Sequence, residues 1–509
     1  MKEEIIPKRF FLENQQQFES IRKQLPTDLK IMHRSSGKLS SIFFDSFDWR
    51  LYQNNLTLYR QLSTIYLFET ASNQIKAQQK ITEKKRPEFW WEFPKGNLRD
   101  LLEKLIDTRV LLEIATLQQS WKSYNILNSD GKIILKIKLN TYHDQSNRIF
   151  SLIEMIPLKG YQEEYMAFAK YLEDTGLNPE PKLPLQISLE KRGVSPGQYS
   201  TKVQPVLDPK MPAGQACNSI LQELFQVMQL NVDGVIKDTD TEFLHDFRVS
   251  IRRARALLGQ IKGVYPQEEA KSFRKNLGKL QKQTNRLRDL DVYLLKKDKY
   301  QSMLPPDLQN GLKIFFRDIH KGRDEEQKRV KDYLESSSFE TDSDKWEKFI
   351  AHYNRNDSAL SQQPILDTVK PLIFNQYNKI IQLKMKDKID NPVIKLHRLR
   401  IECKRLRYLL EFFSSLFPEN EINLTIQHLK KLQDVLGLYH DCIVQKRELS
   451  SYLANLEVTG KNHLNLIASL GGLITELSRE QGKHHNKFNK IFLTFKKKQN
   501  VDLFNRLFG

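Results

Sequence analysis

Cysteine is nearly absent: Cys217, Cys403 and Cys442 are the only three in 509 residues. So few thiols, so far apart, exclude a disulfide framework and a thiolate metal site, and they fit a reducing cytosol. Long apolar runs are missing too. None approaches the roughly 20 residues that span a bilayer, so a soluble protein is expected. The opening Met1-Lys2-Glu3-Glu4-Ile5-Ile6-Pro7-Lys8-Arg9 has no apolar core of the signal-peptide kind. Acidic residues are in deficit, with 62 Asp and Glu against 81 Lys and Arg and a formal net charge of +19. That surplus points to an anionic partner without choosing among polyanions. Residues 1–200 hold 29 basic and 24 acidic side chains, so most of the excess lies in the remainder.

What is present is a basic helix used twice. Leu244-His245-Asp246-Phe247-Arg248-Val249-Ser250-Ile251-Arg252-Arg253-Ala254-Arg255 recurs 152 positions later (397 − 245) as Leu396-His397-Arg398-Leu399-Arg400-Ile401-Glu402-Cys403-Lys404-Arg405-Leu406-Arg407. At about 100° per residue, His245, Arg248, Arg252 and Arg255 fall on one stripe beside Phe247, Ile251, Ala254 and Leu258. His397, Arg400, Lys404 and Arg407 repeat that stripe beside Leu399, Cys403, Leu406 and Leu410. Like charges at these spacings repel by a few tenths of a kcal/mol per pair, so folding does not ask for them. An anion lying along the stripe reverses the sign. The bland reading is a solvated face, and recurrence in register weighs against it.

A second echo keeps the offset. Leu277 to Gln281 maps on Leu429 to Gln433, and Asp289 on Asp441. Lys275, Lys279, Lys282 and Arg286 are predicted to share one face, whereas the second copy keeps Lys431 but has Asp434 and Leu438. The first half is therefore expected to contribute more to anion binding. Asp289 and Asp441 are expected to orient neighbouring cations. No carboxylate or second histidine stands at ligand spacing beside the histidine in both copies, so neither a metal site nor a cofactor is expected. His245 and His397 read as phosphate donors or structural histidines. Together the repeats predict two helical halves around a positive seam.

Ahead of the helical part, residues 1 to about 190 read as α+β. Ser41–Asp45, Leu56–Arg60, Phe89–Phe93, Lys132–Leu139 and Arg148–Pro157 are strand candidates, and Tyr161–Asp174 is helical. They suggest a curved antiparallel sheet or barrel. The Pro-rich 191–212 reads as a connection, and Ser/Asp-rich 341–363 as a linker between helical halves 213–340 and 364–509. Gly471-Gly472 is expected to interrupt or bend a late helix.

The doubled motif closely resembles the CHAD family (conserved histidine α-helical domain), from about Pro209 to the C-terminus. The resemblance implies two pseudo-twofold-related helical bundles that bind inorganic polyphosphate, associated with polyphosphate granules in the cytoplasm. Carried over by position, it assigns phosphate contacts to His245, Arg248, Arg252, Arg253, Arg255, Lys279, His397, Arg400, Lys404, Arg405, Arg407 and Lys431. Phe43-Phe44-Asp45-Ser46-Phe47-Asp48-Trp49-Arg50-Leu51 with Leu56 to Arg60 resembles the CYTH family, a triphosphate tunnel barrel. There the metal-binding carboxylates are depleted. Glu4-Ile5-Ile6-Pro7-Lys8 keeps one Glu, and Leu152 and Ile156 flank Glu154. The expectation is a degenerate, non-enzymatic domain in which Lys8, Arg60 and Arg86 can still meet an anion. The alternatives are a metal-dependent triphosphatase, which needs those carboxylates, and a nucleic-acid binder. Neither stripe offers stacking aromatics apart from Tyr408, so nucleic acid is not the expected specific ligand.

Overall fold

A computed structural model describes residues 8–70, 72, 74–81, 86–146, 148–352, 358–386, 392–457 and 461–509. Glu4 to Pro7 of the expected opening strand lie outside them. The chain divides into two compact units, Met1–Ser200 and Thr201–Gly509.

The first unit is built on one antiparallel sheet. Its strands are β1 (Arg9–Leu12), β2 (Lys30–Asp45), β3 (Leu56–Gln61), β4 (Thr64–Glu69), β5 (Gln74–Lys80), β6 (Leu112–Leu127), β7 (Ile133–Asp144) and β8 (Ile149–Pro157), in the order β1-β8-β7-β6-β2-β3-β4-β5. β1 and β5 are the two ends of that order, so among the described residues the sheet stays open. Five helices accompany it: α1 (Gln15–Lys23), α2 (Arg50–Gln53), α3 (Asn97–Ile106), α4 (Gln162–Asp174) and α5 (Pro184–Lys191).

Period-two alternation sorts the side chains of β7 and β8 between the two faces. Leu135, Ile137, Leu139, Ile153 and Met155 form a core with Phe18 and Ile21 of α1 and Phe168 and Leu172 of α4. On the other face Leu117, Tyr142, Phe150 and Leu152 pack against Ile187 of α5, whose first residue, Pro184, is preset for a helix start. Asp45, buried at the end of β2, accepts hydrogen bonds from the Ser46, Leu51 and Tyr52 amides and so fixes α2.

One strand candidate is corrected. Phe89–Phe93 holds a 3₁₀ turn, Trp90–Glu92, because the Glu92 carboxylate folds back to accept the Glu88 amide at 2.7 Å. A local side-chain bond outweighs aromatic strand preference there.

The second unit is helical: α6 (Ala213–Ile236), α7 (Thr241–Gln260), α8 (Gln267–Gln283), α9 (Asn285–Leu295), α10 (Lys297–Ser302), α11 (Pro306–Gln309), α12 (Leu312–Leu334), α13 (Ser337–His352), α14 (Ile365–Lys386), α15 (Pro392–Phe412), α16 (Glu419–Ala454), α17 (Lys461–Phe495) and α18 (Lys498–Phe508). Asp240 caps α7 through the Glu242 and Phe243 amides, which opens the first motif helix at a defined residue. The packed series α6–α7–α8 is repeated by α14–α15–α16, and α7 packs directly on α15. The four apolar stripe residues of each motif helix are buried.

Two expectations are corrected here. Much of the predicted 341–363 linker is helix α13, because Phe339, Trp346 and Phe349 make a buried face, with Trp346 against Phe225 and Phe273. The part at 353–357 lies outside the described residues. Gly471-Gly472 sits inside the unbroken α17, where a Cβ on Gly472 would stand 3.1 Å from Leu304. Gly472 serves close packing there, and the pair does not interrupt the helix.

Candidate anion-binding seam

The antiparallel packing of α7 on α8 sets Arg248 opposite the one-residue break at Thr284. Its guanidinium donates to the Gln281 carbonyl (3.0 Å), Thr284 Oγ1 (2.7 Å) and Asn285 Oδ1 (2.9 Å). Burial, then the neighbouring charge of Arg252, pulls its pKa down to about 10. Arg248 thereby serves as an internal brace at the α8–α9 break. In the second half α16 runs unbroken through the position equivalent to Thr284. There Arg400 finds no comparable acceptors, and among the described residues it has no ion pair within 4.0 Å.

Arg253 is likewise engaged within the fold. Only 4% exposed, it donates to the Thr201 and Val203 carbonyls, stands 3.4 Å from Glu411 and lies 4.8 Å from the centroid of the Phe412 ring. It ties the entering segment to both motif helices. Its counterpart Arg405 is exposed and held by Glu402 at 2.7 Å, away from its own stripe.

Four cations of the stripes do converge. Lys404 feels, after burial, the charges of Arg400, Arg252 and Arg407, and its pKa falls to about 8. Arg400 is likewise lowered, first by burial and then by Arg252. Arg252 and Lys404 are repeat equivalents, so the α7–α15 contact brings the two stripes face to face. Among the described residues only Arg407 has a near carboxylate, Glu411 at 3.4 Å. This arrangement raises free energy in the absence of an anion, through repulsion in a partly desolvated place.

Beside it lies a cavity of about 310 Å³, lined by Asp289, Val292, Tyr293 and Lys296 and by their equivalents Asp441, Val444, Gln445 and Glu448, with Tyr300, Arg400 and His440. Asp441 stands 3.9 Å from Lys296, the orienting role expected of it, and Tyr293 donates to Glu448 at 2.8 Å. His440, unmarked at the sequence level, packs on exposed His397 with ring centroids 4.7 Å apart. Burial, followed by Arg400 and His397, lowers its pKa to about 4. Its position just before Asp441, matching Arg288 before Asp289, was the available signal.

His245 stands elsewhere. Its Nδ1 accepts from Arg288 Nη2 at 2.9 Å, so the proton of the neutral ring is on Nε2. Glu242, His245 and Asp246 come within metal-ligand range of one another. The guanidinium of Arg288 already supplies positive charge there, 3.8 Å from Glu242.

Lys275, Lys279 and Lys282 are exposed on α8, and Lys431 on α16. The predicted common face does not extend to Arg286, which follows the Thr284 break on α9 and lines a separate cavity with Tyr293, Phe315 and Glu448. Arg255 bonds to Gln281 Oε1 at 2.6 Å and neighbours Arg274, a residue absent from the sequence-level set.

No curated protein matches the chain. Among solved structures, a CHAD domain from the plant Ricinus communis is 22% identical, with TM-score 0.46, over 57% of this chain and 97% of that one. PptA from Streptomyces chartreusis is 14% identical, with TM-score 0.44, over 56% and 100%. HpAC1 from Hippeastrum, described as a putative adenylyl cyclase with a dominant triphosphatase activity, is 12% identical, with TM-score 0.26, over 38% and 99%. The CHAD domain family model matches residues 219–450, the stretch that holds both motif helices and the cavity between them. Residues 219–450 of this chain are therefore similar to the CHAD domain family.

Proposed function

We propose that the helical unit binds inorganic polyphosphate along the α7–α15 seam, without catalysis. The observation that carries this reading is the meeting of Arg252, Arg400 and Lys404, none with a carboxylate within 4.0 Å among the described residues. A chain of phosphates supplies one negative charge after another at short spacing, and each relieves the mutual repulsion of these cations. Binding is then dominated by charge and by release of counterions, so affinity falls steeply with salt. Association with polyphosphate granules follows as a consequence of the same affinity.

The first unit is read as a non-enzymatic companion. Its sheet face beside α5 is filled by Leu117, Tyr142, Phe150, Leu152 and Ile187, and Glu154 is engaged by Arg9 at 3.5 Å. An apolar filling and a carboxylate held by an arginine do not favour divalent metal coordination. No helix of the described chain is long and apolar enough to cross a membrane.

Isothermal titration with long-chain polyphosphate tests the reading. Tighter binding than to DNA of equal charge, at the same salt, is expected. Equal affinity for the two polyanions would sink it. Phosphate release from tripolyphosphate with Mg²⁺ or Mn²⁺ is expected to stay at the level of buffer alone, and robust metal-dependent release would overturn the non-enzymatic part.

A further inference from the structure

The α7–α8 pair holds a second cationic feature that the repeat does not share. Near the end of α7, Gly259 lies under the Arg274 side chain of α8. A Cβ added there would stand 3.3 Å from Arg274 Cζ and Nη1. In the opposite direction, Gly278 of α8 lies under Arg255 of α7, and a Cβ there would stand 3.4 Å from Arg255 Nη2. Each helix thus offers a glycine as a seat for the other's guanidinium. The two arginines end side by side, and burial together with the charge of Arg274 lowers the Arg255 pKa. Neither has a carboxylate within 4.0 Å among the described residues, while Gln281 orients Arg255 at 2.6 Å.

The second half breaks this pattern at three of its four positions. The equivalents of Gly259, Gly278 and Arg274 are Glu411, Lys430 and Ile426, and Arg407, the equivalent of Arg255, is paired with Glu411 at 3.4 Å. The cationic groove continues outward from the seam on one side only. From Arg252 to Gly259 the helix rises about 10 Å, a distance a polymeric anion can bridge and a single phosphate cannot.

We infer that the Arg255–Arg274 groove is an anion subsite for a phosphoryl group at one end of the bound chain, giving the seam a direction. Two planar guanidiniums seated on backbone can take the oxygens of one tetrahedral phosphoryl group between them, each by paired N–H donors. The subsite rests on the seam reading, because its ligand is the continuation of the chain held there.

The test is titration of the full-length protein with long-chain polyphosphate over a range of salt. Arg274→Gln is expected to weaken binding by about three- to tenfold and to lower the salt slope by roughly one phosphate contact. Gly259→Ala changes no charge and favours the helix, so it folds. It is nevertheless expected to weaken binding, because the new methyl group lifts Arg274 from its seat. Arg274→Lys, with the charge but not the fork, should recover part of the loss. Lys321→Gln, an exposed change of equal charge on α12, is the control. If the wild type binds and Arg274→Gln and Gly259→Ala match this control, the subsite is refuted and the seam stands. If the wild type does not bind polyphosphate, both fall.

Discussion

Asp289 and Asp441, 152 positions apart (441 − 289), line the same cavity of about 310 Å³. Val292 with Val444 and Lys296 with Glu448 keep the same offset within it. Such convergence means that the duplicated helices meet about a local twofold axis. A residue and its equivalent then face one another across the seam, which is how Arg252 and Lys404 come to share one electrostatic environment. It also means that any difference between equivalents becomes a difference between the two walls of one site.

The first prediction concerns that shared environment. Arg252→Ala combined with Lys404→Ala removes two charge-assisted contacts, each worth about 1.5–3 kcal/mol. Polyphosphate affinity should drop on the order of a hundredfold or more at moderate salt. Titration of the double variant checks it, and an unchanged dissociation constant would remove the seam from the binding path.

Arg248 and Arg400 should separate stability from binding. Arg248→Ala leaves the buried Thr284 hydroxyl and the Gln281 carbonyl without their guanidinium donor and should cost about 2–4 kcal/mol of stability. Arg400→Ala removes a cation without a close partner, so it should leave the melting temperature unchanged or raised while weakening polyphosphate binding. Thermal melts and titrations of both variants decide; equal effects on both readouts would contradict the division of roles.

Binding should depend on pH through two bases. Lys404 has a folded-state pKa of about 8, below the unfolded value of 10.5. Without ligand, stability from this group rises as pH climbs from about 8 towards 10.5, because there the unfolded chain holds the extra proton. A bound polyanion favours the charged form, so affinity should fall as pH rises through about 8. His440, lowered from 6.5 to about 4, costs the free protein stability as pH falls through that window. Anion binding should draw a proton onto it, making affinity climb on acidification. Titrations in buffers of different ionisation heat measure that uptake, and His440→Gln should abolish the acidic limb alone.

Packing of the first helical hairpin can be tested without touching charge. A Cβ on Gly234 of α6 would collide with the Phe243 ring of α7. Gly234→Ala should therefore destabilise the second unit by about 1–3 kcal/mol, even though alanine is the better helix former. Gly322→Ala on α12, where a Cβ meets nothing within 4 Å, should stabilise or be neutral in the same denaturation experiment.

The chain by itself determined the periodicities. Alternation over β7 and a 3.6-residue repeat over α7 and α15 sort apolar from polar faces by geometry that needs no tertiary partner. The fixed offset between the two basic stripes likewise marked two related halves before any packing was known. Such signals failed where a local bond or a distant face intervened. Glu92 turned an aromatic run into a 3₁₀ turn, and the hydrophobic spacing within a Ser- and Asp-rich segment became α13.

Only the tertiary structure decided which basic residues are spent and which are left over. Arg248 and Arg253 read like Arg400 and Lys404 in the motif, yet a one-residue break at Thr284 and the carbonyls of Thr201 and Val203 consume them. Arg274 carries no motif signal and His440 only its place before Asp441, and both reach their sites through helix pairing. A guanidinium's role depends on what lies within hydrogen-bond reach of it, and that is a property of the packed helices, fixed by residues far away in the sequence.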